Sequence, residues 1–119
     1  MNKIEQTTKT PLVCWDKESL LIEGISIPEN SYEFYAPIHS IFNSKNEFAE
    51  QFTLNMHLDY FNTSSSKELL NVMNHVVDLQ KRGCKVSINW RVAEDDEEMM
   101  ETGRLYEDIL KFKFDFVLI

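Results

Sequence analysis

The strongest constraint on the fold is a change of hydrophobic period near the middle of the chain. Apolar and polar side chains alternate over residues 52–59, which is the pattern of a half-buried strand. Over residues 69–77, apolar side chains recur at steps of three and four, as on one face of a helix. The segment between them predicts a strand-to-helix junction, and it carries four consecutive hydroxyl residues, Thr63 to Ser66.

This hydroxyl run has two interpretations on residue chemistry alone, and both can hold together. The first is helix capping, in which Ser65 and Glu68 form a capping box and Asn62 or Thr63 forms the preceding turn. The second is reversible phosphorylation. The first backbone N–H groups of a helix have no intrahelical acceptor and lie at its positive end. A phosphate carried there would meet donors that already point at it.

The order of predicted elements is β-β-α-β-α-β-α-β, which places the chain in the α/β class. Residues 12–15 and 19–23 are short apolar segments separated by a polar turn, and they predict an antiparallel hairpin. Gly24 ends the second strand or marks a bulge in it. Each later strand is followed by a helix and another strand, so we expect these strands to be parallel and joined by right-handed crossovers. The result is a mixed sheet with helices packed against it.

The start of the first helix depends on two conflicting signals. Asn30 and Glu33 have the spacing of a capping box, which would open the helix there. Pro37 follows closely, and a proline is well tolerated only in the first helical turn. We therefore expect a turn through residues 32–35 and a helix from about Ala36.

Length and composition predict one folded domain. With 119 residues, of which 43% are hydrophobic and 12% aromatic, the chain can bury a core without disulfides or metals. Residues 1–10 are polar, and we expect them to be frayed, which leaves 11–119 as a single domain. Cys14 and Cys84 match neither a disulfide framework nor a zinc pattern, so we expect two reduced thiols.

The charge disfavours two classes of partner. A net charge of -8 disfavours nucleic acid, whose phosphates need facing Lys and Arg, and it disfavours an anionic membrane surface. The chain contains no apolar run long enough to span a bilayer, and its first residues lack the hydrophobic region of a signal peptide. We expect a cytoplasmic protein that binds neither nucleic acid nor membrane.

No segment has the pattern of a catalytic or metal site. His57 and Asp59 share a face of the predicted strand but lack a third ligand, and His39 and His75 are isolated on predicted helices. The acidic run 94–98 lacks the alternating ligands and the glycine of a calcium loop, and it is better suited to a solvated helix start. We expect no metal, no cofactor and no enzyme activity.

Two separated motifs resemble one known family. Residues 28–37, Pro-Glu-Asn-Ser-Tyr-Glu-Phe-Tyr-Ala-Pro, and residues 60–65, Tyr-Phe-Asn-Thr-Ser-Ser, are similar to motifs of the SiaC family of regulatory phosphoproteins. That family is similar in fold to STAS domains of the anti-sigma-factor-antagonist type. The resemblance extends from the first hairpin to the last strand and implies a STAS-like mixed sheet, although the C-terminal helix usual in STAS domains is absent here.

The resemblance implies a non-enzymatic regulatory phosphoprotein of a partner-switching signalling system. Family members are substrates of a dedicated Ser/Thr protein kinase and of a PPM-type phosphatase. In the best-understood branch, the unphosphorylated form binds and activates a diguanylate cyclase, which raises cyclic di-GMP. The effector implied for this chain is therefore a diguanylate cyclase of a bacterial signalling pathway.

The resemblance also implies which residue is modified. The threonine of the Asn-Thr-Ser-Ser motif corresponds to Thr63. In the wider STAS group the modified serine lies in an Asp-Ser-Ser-Gly motif, where it corresponds to Ser64. Asn62 replaces that aspartate and Ser65 replaces that glycine, so the chain follows the SiaC branch, with Ser64 as the second choice.

The predicted partner surface surrounds this site. The residues predicted to contact the partner are Glu29, Asn30, Tyr32, Tyr60, Phe61, Asn62 and Ser65. A phosphate on the modified residue would add about -1.5 to -2 charge and oppose docking of the partner.

The alternative function is a constitutive scaffold or small-ligand-binding STAS-like module. In that case, the hydroxyl run caps a helix or holds an anion without being modified.

Overall fold

A six-stranded mixed sheet and three α-helices make up the fold. The computed structural model describes residues 2–119. None of the helices in that range is long and apolar enough to cross a membrane. In chain order, the elements are β1 (Asn2–Ile4), β2 (Leu12–Trp15), β3 (Ser19–Ser26), α1 (Ser31–Ser40), β4 (Gln51–Phe61), α2 (Thr63–Asp78), a short 3-10 helix (Leu79–Arg82), β5 (Lys85–Val92), α3 (Glu97–Leu110) and β6 (Asp115–Leu118).

The strands lie side by side in chain order, from β1 at one edge to β6 at the other. The pairs β1–β2 and β2–β3 are antiparallel, whereas β3–β4, β4–β5 and β5–β6 are parallel. This topology confirms the predicted α/β class and the mixed sheet. Because the parallel strands follow one another in a single direction, right-handed crossovers place all three connecting helices on the same face of the sheet.

The core lies between that face and the helices. On β4, Phe52, Leu54, Met56 and Leu58 are buried, and the side chains between them are at least partly exposed. On β4 and β5 the opposite face is polar, and its side chains bond across the two strands: the Asn89 amide donates to the Asn55 oxygen at 2.9 Å. The period-2 pattern in the sequence therefore reports a sheet that is covered on one side only.

The N-terminal segment differs from its prediction. Residues 2–10 were expected to be frayed, but Asn2 to Ile4 form β1, which pairs with β2 from Val13 to Trp15. Ile4 is half-buried against the core, and the pairing satisfies backbone groups along the edge of β2. The predicted boundary between 1–10 and 11–119 therefore does not hold. Met1 lies outside the described residues.

The first helix also begins earlier than predicted. α1 starts at Ser31, with the side-chain oxygen of Asn30 accepting from the Glu33 backbone N–H at 3.0 Å, so the capping signal is confirmed and the turn through 32–35 is wrong. Pro37 lies inside the helix. The proline removes a single backbone hydrogen bond, and burial of Tyr35 and Ile38 outweighs that loss.

Candidate functional site

The hydroxyl run begins where β4 gives way to α2. Asn62 has extended backbone angles and caps the helix: its side-chain oxygen accepts from the Ser65 backbone N–H at 3.0 Å. The prediction that Ser65 and Glu68 form the capping box is therefore wrong. β4 runs on to Phe61, so the helix starts at Thr63 and Ser65 already lies in its first turn.

The four hydroxyl groups have different environments. Thr63 is exposed, and within residues 2–119 its hydroxyl makes no hydrogen bond. Ser64 is also exposed, but its hydroxyl donates to the Asn62 side-chain oxygen at 3.2 Å and lies 2.6 Å from the hydroxyl of Ser31 at the start of α1. Thr63 is thus the one hydroxyl of this run that the described fold leaves both accessible and unengaged.

The other two hydroxyls hold α2 in place. Ser65 is fully buried and accepts a hydrogen bond from the Ser26 hydroxyl at 2.9 Å. The Ser26 hydroxyl oxygen also lies 2.6 Å from the Tyr35 hydroxyl. Burial raises the pKa of Tyr35 to about 12, so the phenol remains a hydrogen-bond donor at neutral pH. Ser66 lies 2.6 Å from the Tyr106 hydroxyl of α3.

The Ser31–Ser64 contact brings the starts of two helices together. α1 begins at Ser31 and α2 begins one residue before Ser64, so both positive helix ends face the same small region. Backbone N–H groups in the first turn of each helix have no intrahelical acceptor. A phosphate on Thr63 would therefore be added where the local field favours negative charge.

Two exposed tyrosines flank this region. Tyr32 of α1 is 79% exposed and Tyr60 of β4 is 57% exposed. Tyr60 points outward because the register between β3 and β4 shifts by one residue after Gly24, which has a φ of 118°. Gly24 pairs with Leu58, and the next pair joins Ile25 to Tyr60, so Asp59 has no partner on β3. This bulge reverses the alternation of β4, and it confirms the irregularity predicted at Gly24.

Most of the predicted partner-binding residues lie at the surface of this region. Glu29 and Asn30 are exposed, Asn62 is half-buried, and Phe61 is half-buried with its ring stacked 6.4 Å from that of Tyr106. Ser65 does not belong to the set, because it has no exposed area and its side chain is bonded inside the protein. Its role as a direct partner contact is therefore withdrawn.

The histidines occupy two separate places. His57 Nδ1 lies 3.2 Å from the Glu23 carboxylate on the open face of the sheet, and the bulge carries Asp59 out of register with it. His39 Nε2 lies 3.0 Å from Glu68, beside a cavity of about 380 Å³ between α1 and α2. Burial, followed by the charge of His39, lowers the pKa of His75 in the same cavity.

Residues 2–119 contain no group of three side chains suited to hold a metal ion.

Sequence reasoning missed three residues that build this site: Ser26, Ser31 and Tyr35. One signal was present for Ser26. Ser26 follows Leu20, Ile22 and Gly24 at every second position of β3, so its side chain is expected to face the core. A serine at a buried position requires a hydrogen-bond partner. The partners come from distant parts of the chain, so the sequence could not name them.

Comparison with known proteins gives concordant results. The profile of the SiaC family of regulatory phosphoproteins matches residues 4–119. The structure of SiaC of Pseudomonas aeruginosa aligns with a TM-score of 0.79 and 25% identity, over 100% of this chain and 98% of that one. A chain in the crystal structure of diguanylate cyclase SiaD in complex with its activator SiaC, also from P. aeruginosa, aligns with a TM-score of 0.81 and 24% identity, over 99% and 98% of the two chains. An uncharacterised protein of P. aeruginosa strain UCBPP-PA14 is 27% identical over 121 residues, which span 93% of this chain and 90% of the relative.

Proposed function

Since the chain belongs to the SiaC family of regulatory phosphoproteins, we propose that it is a non-enzymatic switch protein that is reversibly phosphorylated on Thr63. Its unphosphorylated form binds and regulates an effector. The observation that carries this proposal is the exposed hydroxyl of Thr63, which is unbonded within residues 2–119 and lies where two helix starts meet. A kinase can reach it without first breaking a side-chain hydrogen bond.

Ser64 is less suited to be the modified residue. Its hydroxyl is bonded to Asn62 and Ser31, and phosphorylation would replace the hydroxyl that forms the Ser31–Ser64 bond between α1 and α2. Modification of Thr63 leaves those bonds in place. The geometry therefore supports Thr63 as the acceptor, with a Ser/Thr protein kinase adding the phosphate and a PPM-type phosphatase removing it.

The phosphate acts by changing the charge of the docking surface. The unmodified Thr63 side chain carries no charge, and the exposed aromatic rings of Tyr32 and Tyr60 lie in the same region. A phosphate dianion on Thr63 must lose water when a partner docks, and it repels acidic groups of the partner. A coupling free energy of about 1 to 3 kcal/mol changes affinity by about 5- to 150-fold.

The proposed effector is a diguanylate cyclase. Support comes from the solved complex in which SiaC of P. aeruginosa is the activator of diguanylate cyclase SiaD, since a chain of that structure has the fold of this one. The role here is that of a protein activator in cytoplasmic bacterial signalling, with no bound cofactor. Cyclic di-GMP synthesis would then depend on the fraction of unphosphorylated protein.

Titration against each diguanylate cyclase of the source genome tests this proposal. Thr63→Glu adds a charge, and Thr63→Gln is the matched uncharged control of similar size. We expect at least one cyclase to bind the wild-type and Thr63→Gln proteins and to bind Thr63→Glu at least about fivefold more weakly. Enzymatically phosphorylated protein should show the larger loss. Binding by no cyclase contradicts the effector assignment, and equal affinity of all forms contradicts the switch.

A further inference from the structure

A chain of three hydroxyl groups lies buried beneath the surface around Thr63. The Tyr35 hydroxyl is 2.6 Å from Ser26 Oγ, and Ser26 Oγ donates to Ser65 Oγ at 2.9 Å. All three residues have no exposed area. They belong to α1, the end of β3 and the first turn of α2, so the chain joins three elements away from solvent.

The direction of these hydrogen bonds is fixed along the chain. Ser26 uses its single proton on Ser65, so the Tyr35 hydroxyl donates to Ser26. A buried hydroxyl needs a partner, and a hydrogen bond weakens steeply when its distance or angle changes. Apolar contacts tolerate small sliding movements of a helix better than this chain does, because they are not directional.

The buried chain supports the exposed part of α1. Ser31 and Tyr32 lie one turn before Tyr35 on the same helix, and the Ser31 hydroxyl is 2.6 Å from that of Ser64. The start of α1 is thus tied to the start of α2 twice, once at the surface and once in the interior. Tyr32 is carried on this doubly fixed segment and is 79% exposed.

We propose that Tyr35 is a positioning residue for partner binding: through Ser26 and Ser65 it fixes the start of α1, with Tyr32, relative to Thr63. The partner then contacts the starts of α1 and α2 as one rigid surface. This inference rests on the proposed function, since it requires that a partner docks around Thr63.

The test compares two tyrosine variants that each lose one buried hydroxyl. Tyr35→Phe breaks the link to α1, whereas Tyr106→Phe breaks the bonds between α3 and Ser66 and leaves α1 untouched. Affinity is measured with the diguanylate cyclase that binds the wild-type protein, and thermal stability is measured in parallel. We expect Tyr35→Phe to bind about fivefold more weakly or worse, and Tyr106→Phe to stay within about twofold, although both melt at lower temperature.

A double-mutant cycle separates positioning from general destabilisation. If Tyr35 acts through Ser26, then Ser26→Ala and Tyr35→Phe together should weaken binding no more than the stronger single change. Equal affinity losses in Tyr35→Phe and Tyr106→Phe, each in proportion to lost stability, overturn the positioning role. If Thr63→Glu still weakens binding in that case, the phosphorylation switch at Thr63 is supported although the positioning role of Tyr35 is not. The failure of one hypothesis is therefore distinguishable from the failure of the other.

Amide hydrogen exchange makes the inference testable even if no cyclase binds. We expect the backbone amides of residues 33–36 and of Ile38 in α1 to exchange at least about fivefold faster in Tyr35→Phe than in Tyr106→Phe, because only the first variant loosens this helix. Equal exchange in the two variants overturns the inference.

Discussion

Asn62 determines which hydroxyls of the run are free. Its side-chain oxygen caps the Ser65 N–H and also accepts from the Ser64 hydroxyl, so Thr63 is not needed as a cap. The Asn-Thr-Ser-Ser sequence thus separates two roles that a serine or threonine at a helix start often combines. The asparagine satisfies the helix end, and the hydroxyl that follows remains available for modification.

Replacing this cap should destabilise the protein by a predictable amount. Asn62→Ala removes the acceptor for the Ser65 N–H, and we expect the free energy of unfolding to fall by about 1 kcal/mol. Asn62→Ser retains an acceptor and should lose much less. Urea denaturation of the two variants measures the difference. Equal stability of Asn62→Ala and wild type would show that the cap contributes nothing.

At the scale of elements, the packing of α3 depends on one glycine. Trp90 of β5 donates from its ring nitrogen to the Met99 carbonyl at 3.0 Å, so α3 lies very close to the sheet. A Cβ at Gly103 would lie 2.6 Å from that ring nitrogen and 2.9 Å from the ring of Phe116. Trp90 is almost fully buried, so neither the indole nor the helix can move away without disturbing the core.

Gly103→Ala should therefore destabilise the protein, although alanine is the better helix former. The propensity gain of about 1 kcal/mol is opposed by overpacking that costs about 1 to 3 kcal/mol, and the steric term should be the larger because the contacted atoms are buried. Asp108→Ala, on the exposed side of α3, is the matched control and should change stability little. Thermal melts compare the two; a higher melting temperature for Gly103→Ala would contradict the packing.

The elements also show where prediction from the sequence succeeded. Strong period-2 alternation predicted β4 and β5, and the strand-helix order predicted the parallel pairing. Prediction failed where tertiary contacts override a local signal. Core burial of Tyr35 keeps Pro37 within a helix, and pairing with β2 orders a polar segment at Asn2 to Ile4.

At the scale of the whole molecule, the site was only partly predictable. The exposed hydroxyl run could be located because it lies at a change of period in the sequence. The sequence could not show that one hydroxyl of the run is free, one is bonded at the surface and two are bonded inside the protein. The partners of Ser64, Ser65 and Ser66 are 33, 39 and 40 residues away along the chain: Ser31, Ser26 and Tyr106. The start of α2 therefore contacts α1, β3 and α3 through its side chains. A charge placed on Thr63 would lie on a surface formed by more than one of these elements.

Phosphosite mapping of the protein isolated from its own cells tests the central claim most directly. Intact mass gives the phosphorylated fraction, and fragmentation assigns the phosphate to a residue; a Thr63→Val strain provides the control. We predict a phosphorylated fraction with the phosphate on Thr63, absent from the control strain. Protein that carries no phosphate under any growth condition, or carries it only on residues outside this run, would contradict the account.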